Sequence, residues 1–286
     1  MKHTDVARFA LDDLLYDLYG QELDLSQKEL RHQLERKFNK LCSCGHIINV
    51  NGNLIKVRCS NASCQRCGNK FAKAQAAKMY KACGSDNHDD YMMVTCIIGL
   101  SDNINDMFPT FDRFRKKVRT AIKRRREGKK SIALEYQKVA IAGTLEIDMF
   151  DMKRFDELGN DKKEQYMEHF GFKLDTLQDN IWVCTFHGVV HVSTLNEDTI
   201  ISIFRKASPY VHLDKLHRDK PVWESLENIV GYSAKVGFST TYSNLQKYSW
   251  YLEDIKKYTE YTSLFSRGRM AMKFFLGPPK EKRAKI

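Results

Sequence analysis

Nowhere in the 286 residues do about eighteen apolar side chains run together, which excludes a helix that spans a membrane. Secretory-signal character is missing too. Residues 1–8 are polar, and Asp12 and Asp13 interrupt any apolar run behind them. No internal repeat is visible, so a repeat architecture is not expected. Nor is there a Gly-rich phosphate loop between a strand and a helix, which removes the sequence mark of a doubly wound nucleotide-binding fold. These absences predict a cytoplasmic protein with no membrane partner.

What the chain has in excess is positive charge. Lys and Arg number 47 against 36 Asp and Glu, a formal +11, and that surplus favours a polyanion as partner. The length suits one large domain or two modest ones. Five of the eight cysteines fall between Cys42 and Cys67. Without an export signal, such clustering points to metal rather than to disulfides.

Periodicity predicts helix over residues 4–41, with Leu11, Leu14, Leu15 and Leu18 at helical spacing and Ser26-Gln27-Lys28-Glu29 as a capping box. An Ala- and Lys-rich helix is expected over 70–81. The polar stretch 84–90 then marks a domain boundary. Apolar runs predict strands at 91–98, 139–149 and 181–193. Helices are expected at 111–126, 197–206 and 223–234, an inserted helix with loops at 151–180, and a largely helical aromatic stretch at 242–265. In that last stretch Tyr242, Tyr248, Tyr251, Tyr258 and Tyr261 suggest a packing stripe. The organisation expected is a helical segment with a zinc-binding module (1–84), an α+β domain with an antiparallel sheet flanked by helices (85–276), and a basic mobile tail (277–286).

Zinc asks for four soft ligands in a tetrahedron, and two close pairs joined by a short hairpin supply them. Cys64-Gln65-Arg66-Cys67 is one pair, Cys59 lies five residues before it, and Cys44 stands across a hairpin around Asn51-Gly52. The expected ligands of a structural Zn2+ are Cys44, Cys59, Cys64 and Cys67, with Cys42 or His46 as a substitute. Arg58, Arg66, Lys70 and Lys73 beside them suit DNA contacts. The helix 111–126 adds a second basic surface through Arg113, Lys116, Lys117, Arg124, Arg125 and Arg126.

On the strand Trp182-Val-Cys-Thr-Phe-His187-Gly-Val-Val-His191, alternate residues share a face, so His187 and His191 point the same way. Glu146 on the preceding strand would complete two imidazoles and a carboxylate able to hold a divalent ion. Residues four apart on a strand are about 13 Å apart, so both histidines can share one ion only if the strand bulges, for which Gly188 is suited. Tyr232 and Lys235 sit three apart on a predicted helix and so on one face.

This order of motifs resembles the rolling-circle plasmid replication initiators of the HUH endonuclease family. The likeness covers roughly Cys44 to Arg267: a cysteine segment, an apolar strand like Tyr91-Met-Met-Val-Thr95, a basic helix, a strand ending Leu145-Glu146, a histidine strand, and a Tyr-x-x-Lys helix. It implies an HUH, palm-like sheet. The family's metal motif is His-apolar-His. With His191 as its last histidine, Val189 stands at a ligand position; with His187 as the last, Thr185 replaces the first.

The resemblance implies Mg2+ or Mn2+ held by Glu146, His187 and His191, Tyr232 as nucleophile and Lys235 as its electrostatic aid. The activity it implies is sequence-specific nicking and joining of single-stranded or hairpin origin DNA through a 5′-phosphotyrosine, alongside a host helicase and polymerase. A related transposase or relaxase would use the same chemistry. A zinc-containing DNA-binding protein without enzymatic activity is the alternative.

Overall fold

The structure, a computed structural model, describes residues 3–19, 21, 23–59, 61, 63–128, 130–154, 161–171, 180–192, 194–232, 238–241, 247–264 and 272–279. Two helices open the chain, α1 (His3–Tyr19) and α2 (Leu25–Cys42). Asp24, not Ser26, caps α2. Its carboxylate accepts from the Gln27 amide while the Gln27 side chain accepts from the Asp24 amide, which closes the capping box two residues before the expected place. The Ser26 hydroxyl donates to the same carboxylate oxygen, so the expected cap residue is itself a donor to Asp24.

A hairpin follows, β1 (Ile47–Val50) and β2 (Asn53–Lys56), turning at Asn51 and Gly52. Both turn residues have positive φ, 52° and 82°, as a two-residue type I′ hairpin turn requires. Helix α3 (Gln65–Cys83) begins at the CxxC pair, five residues earlier than periodicity indicated, and ends at Gly84 in the left-handed conformation.

The main sheet is antiparallel throughout, in the order β6-β3-β5-β4-β9. Its strands are β3 (Tyr91–Ser101), β4 (Ala140–Phe150), β5 (Ile181–His191), β6 (Tyr210–Lys215) and β9 (Lys273–Leu276). The α+β class with an antiparallel sheet is as expected. The two edge strands β6 and β9 were not legible as strands: each is short and only half-buried, so neither shows a long apolar run.

Side chains of β5 alternate between two packed faces. One face carries Phe186 against Phe111, Phe114, Phe204 and Phe274, with ring centroids 5.2–6.4 Å away. Helices α4 (Met107–Arg126) and α7 (Glu197–Arg205) supply three of those rings. Gly143 and Gly188 are register partners, and a Cβ on either would stand 2.5–2.6 Å from the Phe186 ring. The expected bulge at Gly188 is absent: β4 and β5 pair without a break from 140 to 150, and the irregularity falls on β3 between Ile97 and Gly99. Gly188 is there to admit Phe186.

The opposite face carries Ala140, Ala142 and Val189, covered by α3 and by α8 (Val222–Tyr232) through Ala76, Met79, Leu226 and Val230. The remaining elements are α5 (Lys130–Gln137), α6 (Asp161–His169), a small hairpin β7 (Ser239–Thr241) and β8 (Lys247–Ser249), and α9 (Leu252–Leu264). The expected tyrosine stripe is therefore divided. Tyr258 and Tyr261 are buried on α9, Tyr251 precedes it in the open, and Tyr242 lies outside the described residues.

One apolar cluster joins Leu11, Leu34 and Cys64 to Phe111 and Phe186, so the core runs across the sequence boundary at residues 84–85. The start of the expected tail is also tied down, because the Gly277 carbonyl accepts from Arg126. No helix among the described residues is long and apolar enough to cross a membrane.

Candidate functional site

The N-terminal module brings four thiols together. Cys44 follows α2, Cys59 follows β2, Cys64 precedes α3 and Cys67 lies in its first turn. Their sulfurs lie within 4.8 Å of one another, with Cys44–Cys67 at 3.5 Å and Cys59–Cys67 and Cys44–Cys64 at 3.6 Å. Four sulfurs about 2.3 Å from a tetrahedral zinc stand about 3.8 Å apart, so the cluster is close to the size that zinc demands. Cys42 and His46 are not in the set. Thiol–thiol hydrogen bonding with Cys64 and Cys67, together with burial, holds the Cys59 thiol well above its ordinary value. Thiols this crowded ionise together only around a cation. The cluster could hold a metal ion such as zinc with all four thiols as ligands.

On the main sheet the structure brings Glu146 and His187 together. The His187 Nε2 lies 2.7 Å from Glu146 Oε2, and its Nδ1 lies 3.1 Å from the Thr95 hydroxyl. Thr185 is the register partner of Glu146, and Thr144 that of His187. Glu146 and His187 are partly exposed while their flanks are buried, so this is a polar opening in an otherwise covered face. Two cis ligands of an octahedral ion with bonds of about 2.1 Å stand about 3 Å apart. The pair stands near that separation, and no third His, Cys or carboxylate among the described residues gathers with it as the four cysteines gather with one another.

His191 does not join them. It lies four residues along an unbulged strand, where its ring packs edge-on against Tyr91 at 5.1 Å and its Nδ1 meets the Lys138 carbonyl at 2.9 Å. The expected set of Glu146, His187 and His191 is thus a pair plus a buried histidine.

Burial lowers the His191 pKa, opposed by the carbonyl bond to Lys138 and the Asp90 carboxylate. The stabilisation from its neutral ring is complete above the ordinary imidazole value of about 6.5 and is lost as pH falls through the lower folded value. Wild-type melting temperature should therefore fall more steeply between pH 7 and pH 5 than that of His191→Phe, which keeps the ring contact with Tyr91. Parallel pH profiles of the two would refute this.

Tyr232 is the last residue of α8, the helix whose Val230 packs with Ala142 and Val189, one pair along from Thr144 and His187. The Tyr232 side chain and the whole of Lys235 lie outside the described residues. Tyr261 is a poor nucleophile by contrast: burial pushes its phenol up to about 12, and it bonds the Phe108 amide and the Asn105 carbonyl.

The basic helix α4 packs on the other side of the sheet, against Phe186. Its cations divide into two groups. Arg113, Lys116, Lys117 and Arg124 are exposed, as a phosphate-contacting surface needs. Arg126 instead donates to the carbonyls of Tyr136, Val139 and Gly277, and Arg125 donates to Ser202 and lies over the Tyr136 ring. Those two half-buried residues, expected as DNA contacts, are engaged as internal struts. The sequence could not separate them, because the partners that set them apart, the Ser202 hydroxyl, the Tyr136 ring and the carbonyls of Tyr136, Val139 and Gly277, come from later elements.

No family model, no curated protein and no solved structure matches the chain. What is defined is the class: a mixed helical and antiparallel-sheet protein with a buried four-cysteine cluster that could hold a metal ion such as zinc.

Proposed function

We propose that this protein nicks and rejoins one DNA strand with Tyr232, in the manner of a rolling-circle replication initiator with an HUH, palm-like sheet. The observation that carries the reading is the Glu146–His187 pair on the central strands, on the same face as the helix that ends in Tyr232. The net charge of +11 and the exposed cations of α4 add a phosphate-binding surface.

Glu146 and His187 would hold Mg2+ or Mn2+, with the Thr185 hydroxyl beside them. When bound, the ion supplies positive charge against the non-bridging oxygens of the scissile phosphate. The Thr95 hydroxyl holds the His187 Nδ1 and so aims its Nε2 at the site. The Tyr232 oxygen attacks phosphorus in line as its proton leaves to solvent. The new O–P bond forms a 5′-phosphotyrosine, the P–O3′ bond breaks, and the departing oxygen takes up a proton to leave a free 3′-hydroxyl. Lys235 stabilises charge on the phenolate or the phosphate. A host polymerase would extend that 3′ end and a helicase would open the duplex ahead of it, at a replication origin in the cytoplasm.

Incubation with a random-sequence single-stranded DNA pool and Mn2+ tests the reading. Covalent protein–DNA adduct is expected from the wild type. Glu146→Gln and His187→Ala should each reduce it by more than about a thousandfold, roughly 4 kcal/mol of transition-state stabilisation, with DNA affinity kept within about twofold. Ligands that act in the transition state leave ground-state binding to the basic surface intact. The two-residue metal pair favours one rival, a DNA-binding protein without chemistry. Tight binding with no adduct at any divalent metal would establish that rival.

A further inference from the structure

We propose that the hairpin β1–β2 is a wedge that enters the junction between duplex and single-stranded DNA, stacking its apolar ribbon on unpaired bases while cations at its root hold the phosphates. Every residue from position 47 to 56 is exposed, on both faces of the ribbon. Register places Ile48 beside Ile55 on one face and Asn49 beside Leu54 on the other. Ile47 is 65% exposed and Leu54 76%. A two-stranded ribbon with no core of its own stands in solvent only because its root is fixed, by the Gly45–Val57 and Val57–His46 backbone bonds and by Cys44 and Cys59 of the thiol cluster.

The charge around that root selects the partner. A cavity of about 440 Å3 opens beside the hairpin, lined by Lys56, Arg58, Arg66 and Lys70 with no carboxylate among its lining residues. The sequence reinforces it. From Arg36 to Ser85 there are ten Lys and Arg and no Asp or Glu, an uninterrupted positive field on the module that carries the ribbon. A second copy of this chain would bring the same charge and be repelled, whereas a nucleic-acid backbone is attracted. Base faces are the apolar surface of such a partner, and they are bare where a duplex ends or opens. A strand must be unpaired before a tyrosine can reach its phosphate in line, so opening the junction would serve the proposed nicking. The inference rests on the DNA-binding part of that reading and not on its chemistry.

The test uses full-length protein without added divalent metal, and a DNA hairpin carrying 2-aminopurine in the base pair next to its loop. Wild type should raise the fluorescence severalfold as that pair opens. Ile48→Ser/Ile55→Ser should lose at least about fivefold of that rise yet bind the isolated single strand within about twofold. Lys56→Gln/Arg58→Gln should weaken binding to both DNAs by about tenfold and flatten the salt dependence by up to about two counterions. Zinc content equal to wild type shows that each variant is folded; if the double serine variant loses zinc, Leu54→Ser, far out on the ribbon, supplies the same readout. Junction opening by the serine variants equal to wild type overturns the wedge and leaves DNA binding standing. A wild-type dimer that the same variants convert to monomer in sedimentation overturns it in favour of a second copy. Failure of the wild type to bind either DNA at low salt would remove the DNA reading itself.

Discussion

Tyr232→Phe should leave no covalent protein–DNA adduct, a loss of more than about a thousandfold, while folding and DNA affinity stay near wild type. The substitution removes one oxygen and keeps the ring, so the end of α8 retains its hydrophobic bulk. In the proposed reaction the phenol oxygen is the attacking atom, so its removal leaves the ring without a nucleophile. Lys235→Ala should slow adduct formation about ten- to a thousandfold without abolishing it, as expected for roughly 1.4–4 kcal/mol of electrostatic assistance. Mass spectrometry of the digested adduct locates the link. A nucleotide on Tyr242, Tyr248 or Tyr251 would keep the reaction and discard Tyr232; strand cleavage with no adduct on any tyrosine would discard the mechanism.

Loss of the metal from the thiol cluster should have the largest effect on stability. The four cysteines join the end of α2, the hairpin and the start of α3, and the ribbon they anchor is wholly exposed. Cys64→Ser or Cys67→Ser should release about one equivalent of zinc and cost about 3–5 kcal/mol, a fall in melting temperature of roughly 10 °C. The damage should travel. Helix α3 starts at the cluster, and its far half shares a core with α8 through Ala76, Met79, Leu226 and Val230, with Lys73 and Glu227 paired at 3.7 Å. Adduct formation should therefore fall along with stability, although none of the four clustered cysteines belongs to the sheet that carries Glu146. Elemental analysis that finds no zinc in the wild type, with unchanged melting after chelation, would show that the cluster holds no structural metal.

The sequence by itself determined whatever local spacing can encode. The thiol quartet was legible because tetrahedral coordination needs pairs at short separation, and Cys64-Gln65-Arg66-Cys67 is such a pair. The turn at Asn51-Gly52 was legible because few residues accept positive φ, and the three long strands were legible because central strands are continuous apolar runs. Periodicity of two also placed His187 and His191 on one face.

Only the tertiary structure decided which of those histidines meets Glu146, because strand register is a pairing between distant segments. It decided that Gly188 makes room for Phe186 instead of bulging, since that contact needs Gly143 across the ladder. It decided that Arg113 and Lys116 face solvent while Arg125 and Arg126 brace the helix end: like charges on one helix differ in the hydroxyl and carbonyls that other elements bring within reach. And it decided that the hairpin stands free, because exposure depends on what fails to pack against it, and no stretch of sequence records that.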